Sequence, residues 1–285
     1  MTGSPPVVVI EARPETVSAR LRALWQYRGF YGFLFKEIMN RKSRGTLLGF
    51  WWLILRPLIP AVGFIFAFTV VHPVDSGTGV PYPVFFLTGF IPWRVFQSAM
   101  VILPRTLNWM QGIMKRTYFP RLLVPLAGFG PTFIELAVLV LVFIAVLAPQ
   151  IWAGTPLPIR LRWETLWIVP ALAAALAFAL AIGMVMSVVA LFFRDVVFTI
   201  PYVVQMIMFV TPVLYPVTVI PASYQWLLYA LNPMAQVVEI SRWALTGSGE
   251  FHPVYAALSL GTIVATLVLS TAFFLRAEVH LADRL

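Results

Sequence analysis

Residue types that carry out covalent or metal chemistry are few in this chain, and they do not lie at the spacings that such chemistry needs. The chain contains no cysteine, which excludes disulfide bonds and thiolate metal sites. His72, His252 and His280 are isolated from one another, so the spacing of a paired metal site is missing. No serine lies in a Gly-x-Ser-x-Gly elbow. The sequence therefore favours a function without catalysis, although it does not exclude an enzyme.

The positions of the lysines exclude one common nucleotide site. A phosphate-binding P-loop needs a glycine directly before its lysine, whereas phenylalanine, arginine and methionine precede Lys36, Lys42 and Lys115. This chain therefore does not bind ATP through a P-loop. We expect no cofactor and no metal on it.

The composition indicates an integral membrane protein. Apolar residues make up 60% of the chain and charged residues 11%, whereas soluble domains carry about 25% charged residues. The net charge of +9 could suggest a nucleic-acid partner. The basic residues, however, lie in short loops beside apolar runs, so we predict membrane lipids and not nucleic acid as the surroundings of this chain.

Six apolar runs are long enough to cross about 30 Å of hydrocarbon. With the N-terminus in the cytoplasm, most lysines and arginines fall on the inner side, and only Arg160, Arg162 and Arg242 fall outside. This bias follows the positive-inside rule and predicts that both termini are cytoplasmic. The predicted spans are 49–71, 82–103, 122–147, 166–193, 196–216 and 253–275.

The uncharged run 196–238 decides this topology, because it contains enough residues for two crossings. Two crossings would place Arg276 and Arg284 outside, against the charge bias. We therefore predict one crossing followed by a re-entrant hairpin at 217–238 on the outer face, where prolines and tyrosines are frequent. Non-helical backbone is tolerated there if it is buried in protein or lies beside water.

The segment before the first span combines apolar residues at near-helical spacing with basic residues such as Arg20, Lys36 and Lys42. This pattern predicts an amphipathic helix on the inner membrane surface. The alternative is a basic tail that only sets the orientation of the first span.

Six motifs follow one another in a fixed order: RGTLLGFWWLILRP at 44–57, PYPVFFLTGFIPWR at 81–94, IMKRTYFPRLLVP at 113–125, FFRDVVFTIP at 192–201, TPVLYPVTVIP at 211–221 and LNPMAQVVEISRWAL at 231–245. In this order and spacing the chain closely resembles, over about 33–285, the permease subunit of type-2 ABC exporters for polysaccharides. That family exports O-antigen, capsular polysaccharide, teichoic acid and related glycans. The sequence departs from the family at 36–46, KEIMNRKSRGT, where an Arg-Asp pair followed by a basic-aromatic run is more frequent.

This resemblance implies that substrate transport and ATP hydrolysis are carried out by separate chains. Residues 1–32 would be a cytoplasmic tail with the start of the interface helix, and 33–285 the transmembrane domain. Two permease chains would form a homodimer in the bacterial inner membrane, with two copies of a separate ATPase that binds ATP and Mg²⁺. The substrate would be a polysaccharide linked to a polyprenyl diphosphate.

The resemblance also implies where the ATPase binds. The family has a cytoplasmic coupling helix within 104–125, whose basic and aromatic residues contact the ATPase. An inner loop that only obeys the positive-inside rule is the alternative, and the pair at 194–195 is equally an ordinary helix boundary. The coupling candidates are Lys115, Arg116, Tyr118, Phe119, Pro120, Arg121, Arg194 and Asp195.

Aromatic side chains in the spans suggest a path for sugars, because the C–H faces of sugar rings pack on flat rings. Phe and Trp also face lipid, which is the alternative. Arg94 is a candidate for a phosphate or sugar contact, and the role of Glu135 is open. The path candidates are Trp52, Phe85, Phe90, Trp93, Arg94, Phe96, Tyr202, Phe209 and Tyr215. The candidates for a gate over the exit are Pro216, Pro221, Tyr224, Trp226 and Pro233.

Two rival functions remain at this point. A type-2 ABC permease for drugs or other lipids would share the spans and the coupling loop. An intramembrane glycosyltransferase or acyltransferase would act without an ATPase and would need an essential carboxylate or histidine.

Overall fold

The computed structural model describes residues 17–49, 51–117, 119–160 and 162–281, and most of these are helical, with no strand among them. The prediction of an all-α membrane protein is confirmed. The α-helices, in chain order, are α1 Val17–Gln26, α2 Arg28–Ser43, α3 Trp51–Phe66, α4 Tyr82–Met114, α5 Leu123–Ala127, α6 Gly130–Ala153, α7 Ile168–Phe192, α8 Asp195–Val210, α9 Ala222–Leu231, α10 Pro233–Thr246 and α11 Pro253–Leu281.

Five helical segments of the described chain are long and apolar enough to cross a membrane, one fewer than we predict from the sequence. The fifth predicted span corresponds to α8, which has 16 residues and a length of about 24 Å, short of the hydrocarbon core. A crossing by α8 therefore stays a prediction. The five segments are Trp51–Val71, Tyr82–Met114, Leu123–Ala153, Trp163–Phe192 and Pro253–Glu278.

The central element of the bundle is α4, which is buried over most of its length. The sequence predicts that this span ends at 103, but α4 continues without a break to Met114. Its 33 residues give a length of about 50 Å, so the helix extends well beyond a hydrocarbon core. Its residues pack with α3, α6, α7, α8 and α10 in one apolar core.

The two ends of the bundle differ in charge and structure. At one end, here called the basic end, α2 and the end of α4 present Lys36, Arg41, Lys115 and Arg116. At this end Leu34 and Ile38 of α2 are buried in a second apolar cluster. The predicted interface helix is therefore two helices, α1 and α2, and the domain boundary that we place at 33 falls inside α2.

At the other end, here called the hairpin end, the second half of the uncharged run forms α9 and α10. Pro233 stands in the first turn of α10, where proline is compatible with a helix, and does not break it. The hairpin extends to Thr246 and not to 238 as the sequence predicts. Two charged residues inside α10, Glu239 and Arg242, pair with each other, so charge does not end the hairpin.

Candidate functional site

The aromatic path candidates on α4 face the core of the subunit. Phe85, Phe90, Trp93 and Phe96 are all buried. The ring of Phe96 stacks on Phe178 of α7 with 5.5 Å between ring centroids. In this structure these rings therefore hold the bundle together, and a contact between them and substrate stays a prediction.

A different side of α4 is the accessible one. Arg94, Val101 and Arg105 are half-buried on a helix whose other residues are mostly buried. Arg94 and Arg105 are eleven residues apart, about three helical turns, so both lie on the same side of α4 with their Cα atoms about 16 Å apart along the axis. Asn108 continues this side one turn further and donates to the carbonyl of Ala190 on α7. The accessible side of α4 is therefore polar, not aromatic.

A chain of polar contacts links this side of α4 to three other helices. The Lys42 ammonium of α2 lies 2.9 Å from Glu135 Oε1 of α6, and Arg94 Nη2 lies 3.2 Å from Glu135 Oε2. Arg94 Nη1 donates to Gln97 Oε1 at 2.9 Å, and Gln97 Nε2 donates to Gln205 Oε1 of α8 at 2.9 Å. We call Lys42, Glu135, Arg94, Gln97 and Gln205 the polar chain.

The polar chain is largely shielded from solvent. Glu135 is buried, and the side chain of Lys42 is 7% exposed. Burial lowers the pKa of the Lys42 ammonium, and the Glu135 carboxylate partly offsets this effect. From the sequence, the role of Glu135 stays open, Lys42 is predicted only as a basic residue of the interface helix, and Gln205 is not predicted at all. A lone acidic residue in an apolar span is the signal that could have prompted a search for cationic partners.

Several exposed aromatic side chains lie on α8. Tyr202 is 75% exposed and Phe209 is 53% exposed, and Phe198 and Met206 share their side of the helix at spacings of four and three residues. Gln205, on the same helix, joins the polar chain. The predicted path residue Trp52 of α3 is half-buried, and its ring centroid is 5.9 Å from Cζ of Arg56. Exposed aromatic side chains and the polar side of α4 are therefore neighbours.

At the hairpin end, a fully buried arginine joins α10 to α4 and to the loop after α8. Arg242 Nη1 lies 2.7 Å from Glu239 Oε1, and Nη2 donates to the carbonyl of Val213 at 2.6 Å. Arg242 also donates to the carbonyls of Pro212 and Phe85, and its Cζ lies 3.9 Å from the centroid of the Phe85 ring. We call Arg242, Glu239 and these contacts the hairpin cluster.

The hairpin cluster explains the TPVLYP and LNP motifs. Residues 211–216 supply the carbonyls that Arg242 binds, and Tyr82 Oη donates to the carbonyl of Leu214 at 3.1 Å. The Asn232 side chain accepts from the N–H of Met234 and donates to Thr211 Oγ1 at 2.7 Å. From the sequence, Arg242 is predicted only as an outer-loop charge, and this role is missed. The i, i+3 spacing of Glu239 and Arg242 directly after the uncharged run was the available signal.

The gate candidates differ in exposure. Pro221, Tyr224 and Trp226 are exposed on the outside of the hairpin, whereas Pro233 is buried and Pro216 is half-buried. Tyr215 is also half-buried, and its hydroxyl donates to the carbonyls of Phe209 and Val210 at 3.0 Å. The exposed members have the freedom to contact another molecule, and the buried ones hold the hairpin in place.

The coupling candidates also separate into two groups. Lys115 and Arg116 are exposed in the turn after α4. Phe119 is buried with its ring centroid 4.8 Å from that of Phe30, and Arg121 Nη1 donates to the carbonyl of Glu278 on α11 at 2.9 Å. Pro120 is half-buried, and Tyr118 lies outside the described residues.

The resemblance implies a coupling helix within 104–125, and the helical residues of this range belong to the end of α4 and to α5. Between them, the described residues 115–117 and 119–121 lie outside any helix. Proline at 120 limits helix formation around it. Arg194 and Asp195 are exposed between α7 and α8, and Asp195 stands in the first turn of α8, where a negative charge is favourable.

Comparison with known proteins identifies the family. Residues 30–246, most of the chain, match the family described as ABC-2 type transporter. This chain belongs to the ABC-2 type transporter family. The match runs from α2 to the end of α10, and so it includes both the polar chain and the hairpin cluster. As an ABC-2 protein with five span-length helical segments, the chain is an integral membrane protein.

Curated relatives of this ABC-2 protein are transport subunits. It is 27% identical over 246 residues to the O-antigen export system permease protein RfbA of Klebsiella pneumoniae, covering 85% of this chain and 89% of that protein. It is 25% identical over 220 residues to the O-antigen export system permease protein RfbA of Myxococcus xanthus, covering 76% and 80%. It is 27% identical over 216 residues to the polysialic acid transport protein KpsM of Escherichia coli, covering 74% and 78%.

Proposed function

We propose that this ABC-2 permease exports a polysaccharide linked to a polyprenyl diphosphate across the bacterial inner membrane. Two permease chains would work with two copies of a separate ATPase that binds ATP and Mg²⁺, and both termini of the permease would lie in the cytoplasm. The relatives named for O-antigen export and polysialic acid transport support this substrate class.

The observation that carries the proposal is the pairing of aromatic and polar surface on α8 and α4. Tyr202 and Phe209 present rings at the surface, and Arg94, which donates to the buried Gln97, lies on the accessible side of α4. A repetitive polymer needs weak contacts that it can exchange as it moves. Ring faces for the C–H surface of sugars and polar groups for their hydroxyls provide both kinds.

The basic end supports a site for the ATPase. Lys115 and Arg116 are exposed beyond α4, and α4 is a continuous helix from this turn to the hairpin end. Movement of the turn would therefore be transmitted along α4 to Phe85 and to the hairpin cluster. In this proposal the α9–α10 hairpin acts as a gate at the outer face.

An export assay in cells tests the proposal. The permease and its ATPase replace the corresponding pair in a strain whose surface polysaccharide depends on such an exporter. We expect Tyr202→Ala with Phe209→Ala to reduce surface polysaccharide and to leave lipid-linked polymer inside. The matched control is Phe273→Ala, which removes an exposed ring from α11, remote in sequence from the proposed path.

The same assay separates the rival functions. Surface polysaccharide that is unchanged by the α8 double variant would contradict an aromatic path on α8. Drug efflux without polysaccharide export would support the drug permease. Transfer of a glycosyl or acyl group without an ATPase would support the transferase.

A further inference from the structure

Four cationic side chains lie in or near the polar chain, where the described residues supply one carboxylate. Lys42 and Arg94 both contact Glu135. Arg56 of α3 lies close enough to Lys42, Arg94 and Arg105 to repel all three electrostatically. Four cations against one carboxylate leave three positive charges in excess. Excess charge of one sign is costly in a low-dielectric environment unless a ligand of opposite charge compensates it.

Two of these guanidinium groups also have donors without acceptors. Arg94 Nε and Arg105 Nε are buried and have no hydrogen-bond partner in the described part of the chain. Arg105 does make one bond, from Nη2 to the carbonyl of Val197 at 3.4 Å. Buried polar groups usually have partners, so unpaired donors on two arginines of the same side of α4 indicate a missing acceptor.

Three of the cations are only half-buried, so a headgroup can reach them. Arg94 and Arg105 lie on the accessible side of α4, and both are half-buried. Arg56 also is half-buried, and Trp52 lies beside it. Apolar surface therefore adjoins the charges, as a lipid with an anionic headgroup requires.

We propose that Lys42, Arg56, Arg94 and Arg105 bind the diphosphate group of a lipid carrier. This inference rests on the proposed function and names the part of the substrate that these residues recognise. Guanidinium groups suit phosphate because their N–H donors match its oxygens in pairs. Basic pockets between transmembrane helices bind phosphorylated headgroups in the same way. A diphosphate carries more negative charge than the single phosphate of a bilayer phospholipid, so it offsets the excess better.

A binding measurement tests the site without a transport cycle. The permease–ATPase complex is placed in nanodiscs of phosphatidylcholine and titrated with a sugar-free polyprenyl diphosphate. We expect Arg56→Gln and Arg105→Gln each to weaken binding by at least about tenfold, since each removes a charged donor. Neither arginine contacts Glu135, so neither substitution leaves the carboxylate without its partners. The matched control is Arg41→Gln, which removes an exposed cation that pairs with Glu37 on α2, and we expect it to change binding less than about twofold.

Substitution of Glu135 should strengthen binding, the opposite of the arginine variants. Glu135→Gln removes the carboxylate and adds to the positive excess, so we expect tighter binding of the diphosphate. If the four cations only stabilised the fold through Glu135, this variant would bind no better and would lose stability. Thermal unfolding of each variant in the same nanodiscs separates lost binding from lost structure.

Competitors identify the source of the phosphate. Excess phosphatidylglycerol should displace the polyprenyl diphosphate poorly. Equal displacement by phosphatidylglycerol, with all cation variants affecting both lipids alike, would overturn the assignment to a lipid diphosphate. Unchanged diphosphate binding in Arg56→Gln and Arg105→Gln, in a complex that still exports polysaccharide, would overturn the site and leave the proposed function intact. Normal diphosphate binding without polysaccharide export would instead contradict the proposed function.

Discussion

Arg242 of α10 lies over the ring of Phe85 of α4, with 3.9 Å between its Cζ and the ring centroid. The same arginine binds Glu239 and the carbonyls of the loop after α8. The contact therefore joins the α9–α10 hairpin to the longest helix of the bundle. A sequence that is nearly free of charge over this region has one of its arginines at the centre of the hairpin end.

Removal of this arginine should be strongly destabilising. Arg242→Gln leaves the buried Glu239 without its charge partner, and loss of one member of such a pair costs about 3–5 kcal/mol. We expect less folded protein and a lower unfolding temperature in detergent. Arg160→Gln, at an exposed arginine of the same end, is the control and should unfold like the unmodified protein. Normal stability of Arg242→Gln would show that the hairpin cluster does not hold the hairpin.

Close packing against Arg242 makes Gly89 of α4 sensitive to substitution. A Cβ atom at Gly89 of α4 would lie 2.8 Å from Arg242 Nη2 and 3.1 Å from Val238 Cγ1. We expect Gly89→Ala to cost about 1–3 kcal/mol, because the arginine is held by several bonds and has little room to move. Gly112→Ala, on the same helix with no atom within 4 Å of the new Cβ, should be neutral or stabilising by up to about 1 kcal/mol. Equal unfolding temperatures for the two variants would contradict this packing.

The Asn232–Thr211 bond should contribute to the stability of the hairpin separately from Arg242. Asn232→Ala removes both the cap of α10 and the bond to Thr211, and a lost cap costs about 1 kcal/mol. We expect faster amide exchange in 222–246 and little change in α4. A double-mutant cycle with Thr211→Val measures the bond itself. Strictly additive effects of the two substitutions would mean that the side chains do not interact.

Substitutions of the exposed coupling residues and of the packed coupling residues should give different defects. Lys115→Glu with Arg116→Glu reverses two exposed charges, so we expect normal folding and a loss of at least about tenfold in affinity for the ATPase. Arg121→Ala removes a bond to α11, and its main effect should be a loss of about 1–2 kcal/mol in stability. Co-purification with the ATPase and thermal unfolding, measured on both variants, separate the two defects. Full ATPase binding by the charge-reversed variant would place the contact elsewhere.

Sequence patterns predicted the class of this protein better than they predicted which residues contact one another. Charge depletion and the order of six motifs predicted a membrane permease of the ABC exporters, and the family match agrees. Helical spacing on α4 singled out Phe85, Phe90 and Phe96, and all three are buried. It did not reveal that other helices cover them, because a periodic pattern carries no information about which partner packs against it.

Charge patterns had a similar limit. Parity of the spans predicted a hairpin after α8, and the structure has a helical hairpin there that ends eight residues later than we predicted. The rule that charges end apolar segments does not hold for Glu239 and Arg242, because they neutralise each other. The carbonyls of Pro212 and Val213 that complete their contacts come from a loop about thirty residues earlier in the chain.

The amino-acid sequence by itself determined that the chain is a helical membrane protein of this family, since those conclusions follow from local composition and from motif order. The tertiary structure alone decided which charges meet. Lys42 and Glu135 are 93 residues apart in the chain, and their ammonium and carboxylate lie 2.9 Å apart. Such contacts depend on how α2, α4, α6 and α8 pack together, and no single segment of the sequence contains that information.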